Sequence, residues 1–225
     1  MNVEKTAVSA DDMALINKYS RAELSADDVY SFKMVCCDSK IDRDGEAFSV
    51  NALHEMAKLF VGKTVITDHK PSAKNQIARI YKTHVKENNG FSQLIAWAYI
   101  PKTDTNSDII TLIETGIVKE VSVSCSVRKR ICSICGEAFD ACHHRKFKDY
   151  DGKTCYGILD EVTDAYEVSF VAVPAQRGAG VTKQCAMYNV QCADADIELK
   201  IKMAENFIFC LNNFYDKGDF KDETQ

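Results

Sequence analysis

The chain has 225 residues and a formal net charge of −5 at neutral pH, which argues against nucleic acid as its main partner, since phosphate binding needs a basic face. No stretch approaches the roughly 18 apolar residues of a membrane span, and the start, M-N-V-E-K-T-A-V-S-A-D-D, lacks the apolar segment of a secretory signal. The expectation is a soluble protein made in a reducing cytoplasm, where ten cysteines need a reason other than disulfides.

Residues 1–22 are polar and weakly periodic and read as an extended or loosely helical N-terminal arm. Residues 28–37 carry the β-branched and aromatic residues of a strand, and the turn I-D-R-D-G-E follows at 41–46. Ser49 caps a helix running to about Val61, with Leu53, Met56, Ala57 and Phe60 on one apolar stripe and Gly62 at its C-terminal stop. A short strand, Lys63 to Thr67, leads into D-H-K-P. Residues 76–86 and 91–100 form two strands joined by E-N-N-G, with Trp97 expected in the core. Thr105 caps a helix over about 106–115, ended by Gly116. Residues 118–128 alternate as a strand, two further strand-like runs cover 155–160 and 165–173, and a helix is expected over 194–213 before a polar tail. Many strands and three helices predict an α+β or barrel-like fold rather than an alternating α/β one.

Residues 132–144 read C-S-I-C-G-E-A-F-D-A-C-H-H, with Cys155 eleven residues on. C-x-x-C followed by glycine is a zinc knuckle: the turn brings two thiolates to one tetrahedral ion. The second pair of ligands is Cys142 with His144, or Cys142 with Cys155. His143 is less suited, because C-x-H turns both side chains to one side more easily than C-H. The ligand candidates are therefore Cys132, Cys135, Cys142, His144 and Cys155, for a structural Zn²⁺. Arg128, Lys129, Arg130, Arg145, Lys146 and Lys148 surround them and would favour thiolates. Cys36, Cys37, Cys125, Cys185, Cys192 and Cys210 show no ligand spacing and read as small buried hydrophobes, and His54 and His84 read as structural.

Three further patterns are T-D-H-K-P at 67–71, K-E-V-S-V-S-C-S-V at 119–127 and Y-E-V-S-F-V-A-V-P-A at 166–175, preceded by D-R-D-G-E-A-F-S and G-K-T-V-I-T-D-H. In this order, over roughly residues 24–183, they resemble the prohead (capsid-maturation) proteases of tailed bacteriophages, whose fold is similar to the herpesvirus assembly proteases. Some relatives from large phages carry a similar cysteine-rich insertion at this point. The resemblance implies an α+β fold with a β-barrel core and flanking helices. It implies a protease-like domain over 23–183, a zinc-knob insertion at about 130–156, and a C-terminal helix and tail over 184–225. It makes Ser122 the nucleophile and His69 the general base, since a neutral hydroxyl needs an imidazole to take its proton. Glu167 is the candidate to orient that imidazole, with Asp68 and Asp164 behind it. One departure from the family pattern is Ser124, where the family has glycine.

The function implied is a homo-oligomeric serine endopeptidase acting in the host cytoplasm inside the assembling prohead. It would cut scaffold and major capsid protein segments and its own chain, in contact with the portal. Two other readings stand beside it. One is a catalytically inactive capsid or scaffold component with the same fold, and the other a zinc-dependent nucleic-acid binder using R-K-R and H-H-R-K-F-K.

Overall fold

A computed structural model describes residues 8–88 and 90–182. In chain order its elements are α1 (Ala10–Ile16), β1 (Val29–Asp38), β2 (Glu46–Phe48), α2 (Val50–Phe60), β3 (Thr64–Thr67), β4 (Ala78–Asn88) and β5 (Phe91–Pro101). Then come α3 (Ser107–Glu114), β6 (Val121–Cys132), β7 (Asp149–Tyr150), β8 (Lys153–Thr154), β9 (Gly157–Phe170) and β10 (Gly180–Val181). The fold is mixed α+β: one large mixed sheet with few helices.

The sheet runs β10-β1-β5-β4-β3-β9-β2, and β6 also pairs with β9. The β4–β5 and β6–β9 pairs are antiparallel, whereas β3 and β2 both lie parallel to β9. A single bridge, Glu120↔Gly180, joins the approach to β6 with β10. Beside it, Val181 N–H donates to Lys119 O at 2.7 Å.

The apolar stripe of α2 explains where the core sits. Leu53, Met56 and Phe60 are fully buried and share one cluster with Phe32 and Met34 of β1, Leu94 and Ala96 of β5, and Val121 and Val168 of the β6–β9 pair. The helix starts where Ser49 Oγ accepts from Ala52 N–H and stops at Gly62, whose φ is +85°. Asp160 accepts from Ser49 Oγ at 2.5 Å, so the cap is tied to β9.

Five expectations change. Part of the N-terminal arm is a short helix that docks: Ile16 is fully buried against Val29, Tyr81 and Tyr99. Trp97 is half-buried rather than core, with the Lys33 and Lys82 ammonium groups 5.3 and 4.9 Å from its ring centre. The cap expected at Thr105 falls inside a 3₁₀ turn, Asp104–Asn106, and α3 begins after Asn106. The strand expected to end at 128 continues to Cys132, because Lys129–Cys132 pair with Gly157–Asp160. The runs 155–160 and 165–173 are one continuous strand, β9. The polar residues between them are accommodated by two register shifts against β6 and by a left-handed Glu161 (φ +54°). The helix expected at 194–213, and Cys185, Cys192 and Cys210, lie outside the described residues.

Candidate active site and metal centre

The first site forms where β3 ends. Asp68 and His69 both adopt left-handed backbone, with φ of 53° and 51°. Left-handed geometry costs a residue with a Cβ roughly 1–2 kcal/mol, and such outliers persist only where neighbours over-determine them. Here the neighbours are specific. Asp68 N–H donates to Phe170 O at 2.9 Å, and His69 N–H donates to Ser169 Oγ at 2.8 Å. Asn75 braces the loop from the other side, its amide nitrogen donating to Thr67 O at 2.8 Å and Lys70 O at 2.9 Å.

That turn sets the imidazole on β9. His69 Nδ1 lies 2.7 Å from Glu167 Oε1. The Glu167 side chain is 9% exposed and the His69 side chain 40%. In the neutral ring, a carboxylate on Nδ1 favours the tautomer that carries its proton there and leaves Nε2 as the acceptor nitrogen. Asp68 and Asp164, the other carboxylates considered for this role, are directed elsewhere: each forms a 3.5 Å ion pair, with Lys70 and Lys63 respectively. Glu167 Oε2 is buried without a hydrogen-bond partner among the described residues.

Strand register puts Ser122 on the same face. Ser122 pairs with Ser169 and Ser124 with Glu167, with no register shift between them. Side chains alternate with period two, so Ser122, Ser124, Glu167 and Ser169 project together. Directly opposed residues in such a pair hold their Cβ atoms about 4.5–5.5 Å apart. Ser122 is half-buried, and among the described residues no hydrogen bond joins its hydroxyl to the His69 ring. Bonds of this kind often tighten only around a bound substrate. Ser169 and Asn75 were not singled out from the sequence. Ser169 was at least visible within E-V-S, whereas nothing local marked Asn75.

The second site is the knob between β6 and β9. Donor atoms of Cys132, Cys135, Cys142 and His144 all lie within 4.8 Å of one another and could hold a metal ion. The chemistry of the group fits one. His144 Nδ1 is buried with no hydrogen-bond partner among the described residues, a cost that coordination would remove. Its ring is held edge-on to Tyr150, centroids 4.5 Å apart. Burial would raise the Cys132 thiol, but backbone N–H groups of Cys135 and Ile134, then the Cys142 and Cys135 side chains, bring it down to about 6. Cys155, the alternative ligand, is not one of these four, although its buried sulfur lies 3.9 Å from that of Cys132. His143 is exposed and outside the group.

Most of the basic residues around the knob are committed to carboxylates. Lys129 and Arg128 pair with Glu161, and Arg130 (3.0 Å) and Lys146 (2.8 Å) both pair with Glu46. Arg130 and Lys146 thereby tie the knob to the 42–46 turn, while Lys129 and Arg128 stay on the β6–β9 pair. Cys36 and Cys37 are buried as expected, and burial pushes the Cys36 thiol up to about 12. Among the described residues no helix is long and apolar enough to cross a membrane. No protein-family model, curated protein or solved structure matches the chain.

Proposed function

We propose that this chain is a serine endopeptidase of the prohead-protease type. Ser122 is the nucleophile, His69 the base and Glu167 the group that orients and charges-balances the imidazole. The observation that carries the reading is the His69–Glu167 pair at 2.7 Å, held over the strand face that Ser122 shares. In this mechanism Nε2 takes the Ser122 proton as Oγ attacks the scissile carbonyl, and Glu167 stabilises the imidazolium that forms. The proton then goes to the leaving amine, and water, activated by the same nitrogen, releases the acyl group.

The finer fold belongs to the same proposal: a barrel of the herpesvirus-protease type. Its support is the Glu120↔Gly180 bridge, which links the approach to β6 back to the far end of the strand path. The metal is a structural zinc. Three thiolates and an imidazole suit zinc and fill its coordination sphere, leaving no open position for chemistry. The substrates are scaffold and major capsid protein segments and the chain itself, within an assembling prohead.

Ser124, at the family's glycine position, supports the alternative of an inactive protease-fold capsid component. One experiment separates the two. The active reading expects self-processing of the purified chain, abolished by Ser122→Ala with the thermal unfolding midpoint unchanged. Equal processing by both chains, or by neither, contradicts it.

A further inference from the structure

His69 depends on a left-handed turn, and its own backbone N–H has one partner, the hydroxyl of Ser169. Asn75 ties the carbonyls of Thr67 and Lys70, and Phe170 O holds Asp68, but neither touches His69 itself. Ser169 is fully buried near the end of β9, between β6 and β3, where an apolar side chain would ordinarily serve better. Among the described residues its own proton has only Phe170 O, at 3.4 Å, so the shorter bond this hydroxyl makes is the one it accepts from His69.

We propose that Ser169 is a positioning residue of the peptidase site. By accepting the His69 N–H it fixes the turn, keeps Nδ1 on Glu167 and leaves Nε2 free for Ser122. The proposal rests on the peptidase reading for its consequence, though not for its geometry. Ser169 neighbours both other groups: it faces Ser122 across the β6–β9 ladder and is two residues from Glu167 on one strand. The same serine therefore sets the height of the imidazole over the nucleophile. An alanine there would leave the His69 N–H unpaired and the left-handed pair held only at its flanks.

The test compares wild type, Ser169→Ala and Ser169→Thr by two readouts. One is the low-field Nδ1–H resonance of His69 in histidine-labelled protein, which needs no activity. The other is the rate at which a fluorophosphonate forms an oxygen–phosphorus bond to Ser122 with loss of fluoride, followed against pH. Ser169→Ala is expected to lose the low-field resonance and label about 10- to 100-fold more slowly, the scale of a misplaced catalytic group. Ser169→Thr, which keeps the hydroxyl, is expected to restore both. Should Ser169→Ala fail to fold, Ser169→Cys, with a weaker acceptor of similar volume, is expected to show the same losses in smaller degree. An alanine variant that folds and keeps both the resonance and the wild-type rate overturns the proposal. If the wild-type chain never labels while the resonance responds as described, the peptidase reading fails and the positioning of His69 by Ser169 stands.

Discussion

The candidate metal knob and the His69 turn each place a histidine among partners capable of chemistry, and they are assembled in opposite ways. In the knob, Cys132, Cys135, Cys142 and His144 come from one short stretch, residues 132–144, with Gly136 (φ +77°) supplying the tight turn that lets the first two thiols converge. At the turn, the partners of His69 are 98 and 100 residues away, on β9, and two non-glycine residues hold left-handed backbone. A metal site can be written in local spacing because the ion gathers its own ligands. An acid–base pair has no such organiser, so the sheet must deliver each group at the right register and store the strain.

That contrast predicts separable failures. The largest effect is expected at the turn. Glu167→Gln removes the charge that stabilises imidazolium and should lower the Ser122 labelling rate about 10³-fold or more, by analogy of role with other triads. The bound metal, measured by atomic absorption, should stay at one ion per chain. Loss of the ion in this variant would mean the two regions are not independent.

Metal removal should do the reverse. Chelation, or Cys132→Ser, is expected to strip the ion and loosen the knob from Glu46, where Arg130 and Lys146 converge. If the site contributes about 3 kcal/mol, the unfolding midpoint falls by roughly 6–12 °C for a domain of this size. The low-field His69 proton should survive at temperatures below that transition. A chelated protein with an unchanged midpoint would remove the structural role.

A smaller effect, at neither site, sets the scale for both. Ser49→Ala removes the α2 cap and should cost about 1 kcal/mol, or roughly 2–4 °C. The Ser49 hydroxyl, followed by the Glu161 backbone and Asn51, outweighs burial and holds the Asp160 carboxyl below its ordinary value. A lowered folded value stabilises the protein above the unfolded carboxylate range and ceases to do so as pH falls through it. The gap between wild type and Ser49→Ala should therefore be full at neutral pH and narrow as the solution is acidified past about pH 4. A gap that widens on acidification would show that the cap does not act through Asp160.

Much of the fold was legible because local patterns were consistent. The stripe Leu53, Met56, Phe60 between Ser49 and Gly62 defined α2 almost to the residue. The β4–β5 hairpin was visible in its alternation and its turn. What was not legible came from pairing. E-V-T-D-A at 161–165 looks like a break, and only its bulged ladder with β6 makes β9 one strand. α1 is too short and polar to announce itself, and Ile16 earns burial through Tyr81 and Tyr99 far along the chain. At the site, H-x-x and E-V-S motifs named His69 and Glu167, but the choice of Glu167 over Asp68 and Asp164 needed the geometry. Ser169 stood within E-V-S, but its role was not legible, because a serine in a strand carries no signal until its partner is known.

The central claim is that an imidazole oriented by Glu167 activates the Ser122 hydroxyl. Peptide mapping of the chain after reaction with a fluorophosphonate tests it most directly. A single adduct is expected on the peptide containing Ser122, absent from Ser122→Ala and from His69→Ala. An adduct on Ser124 or Ser126 instead, or equal modification of the His69→Ala chain, would contradict it.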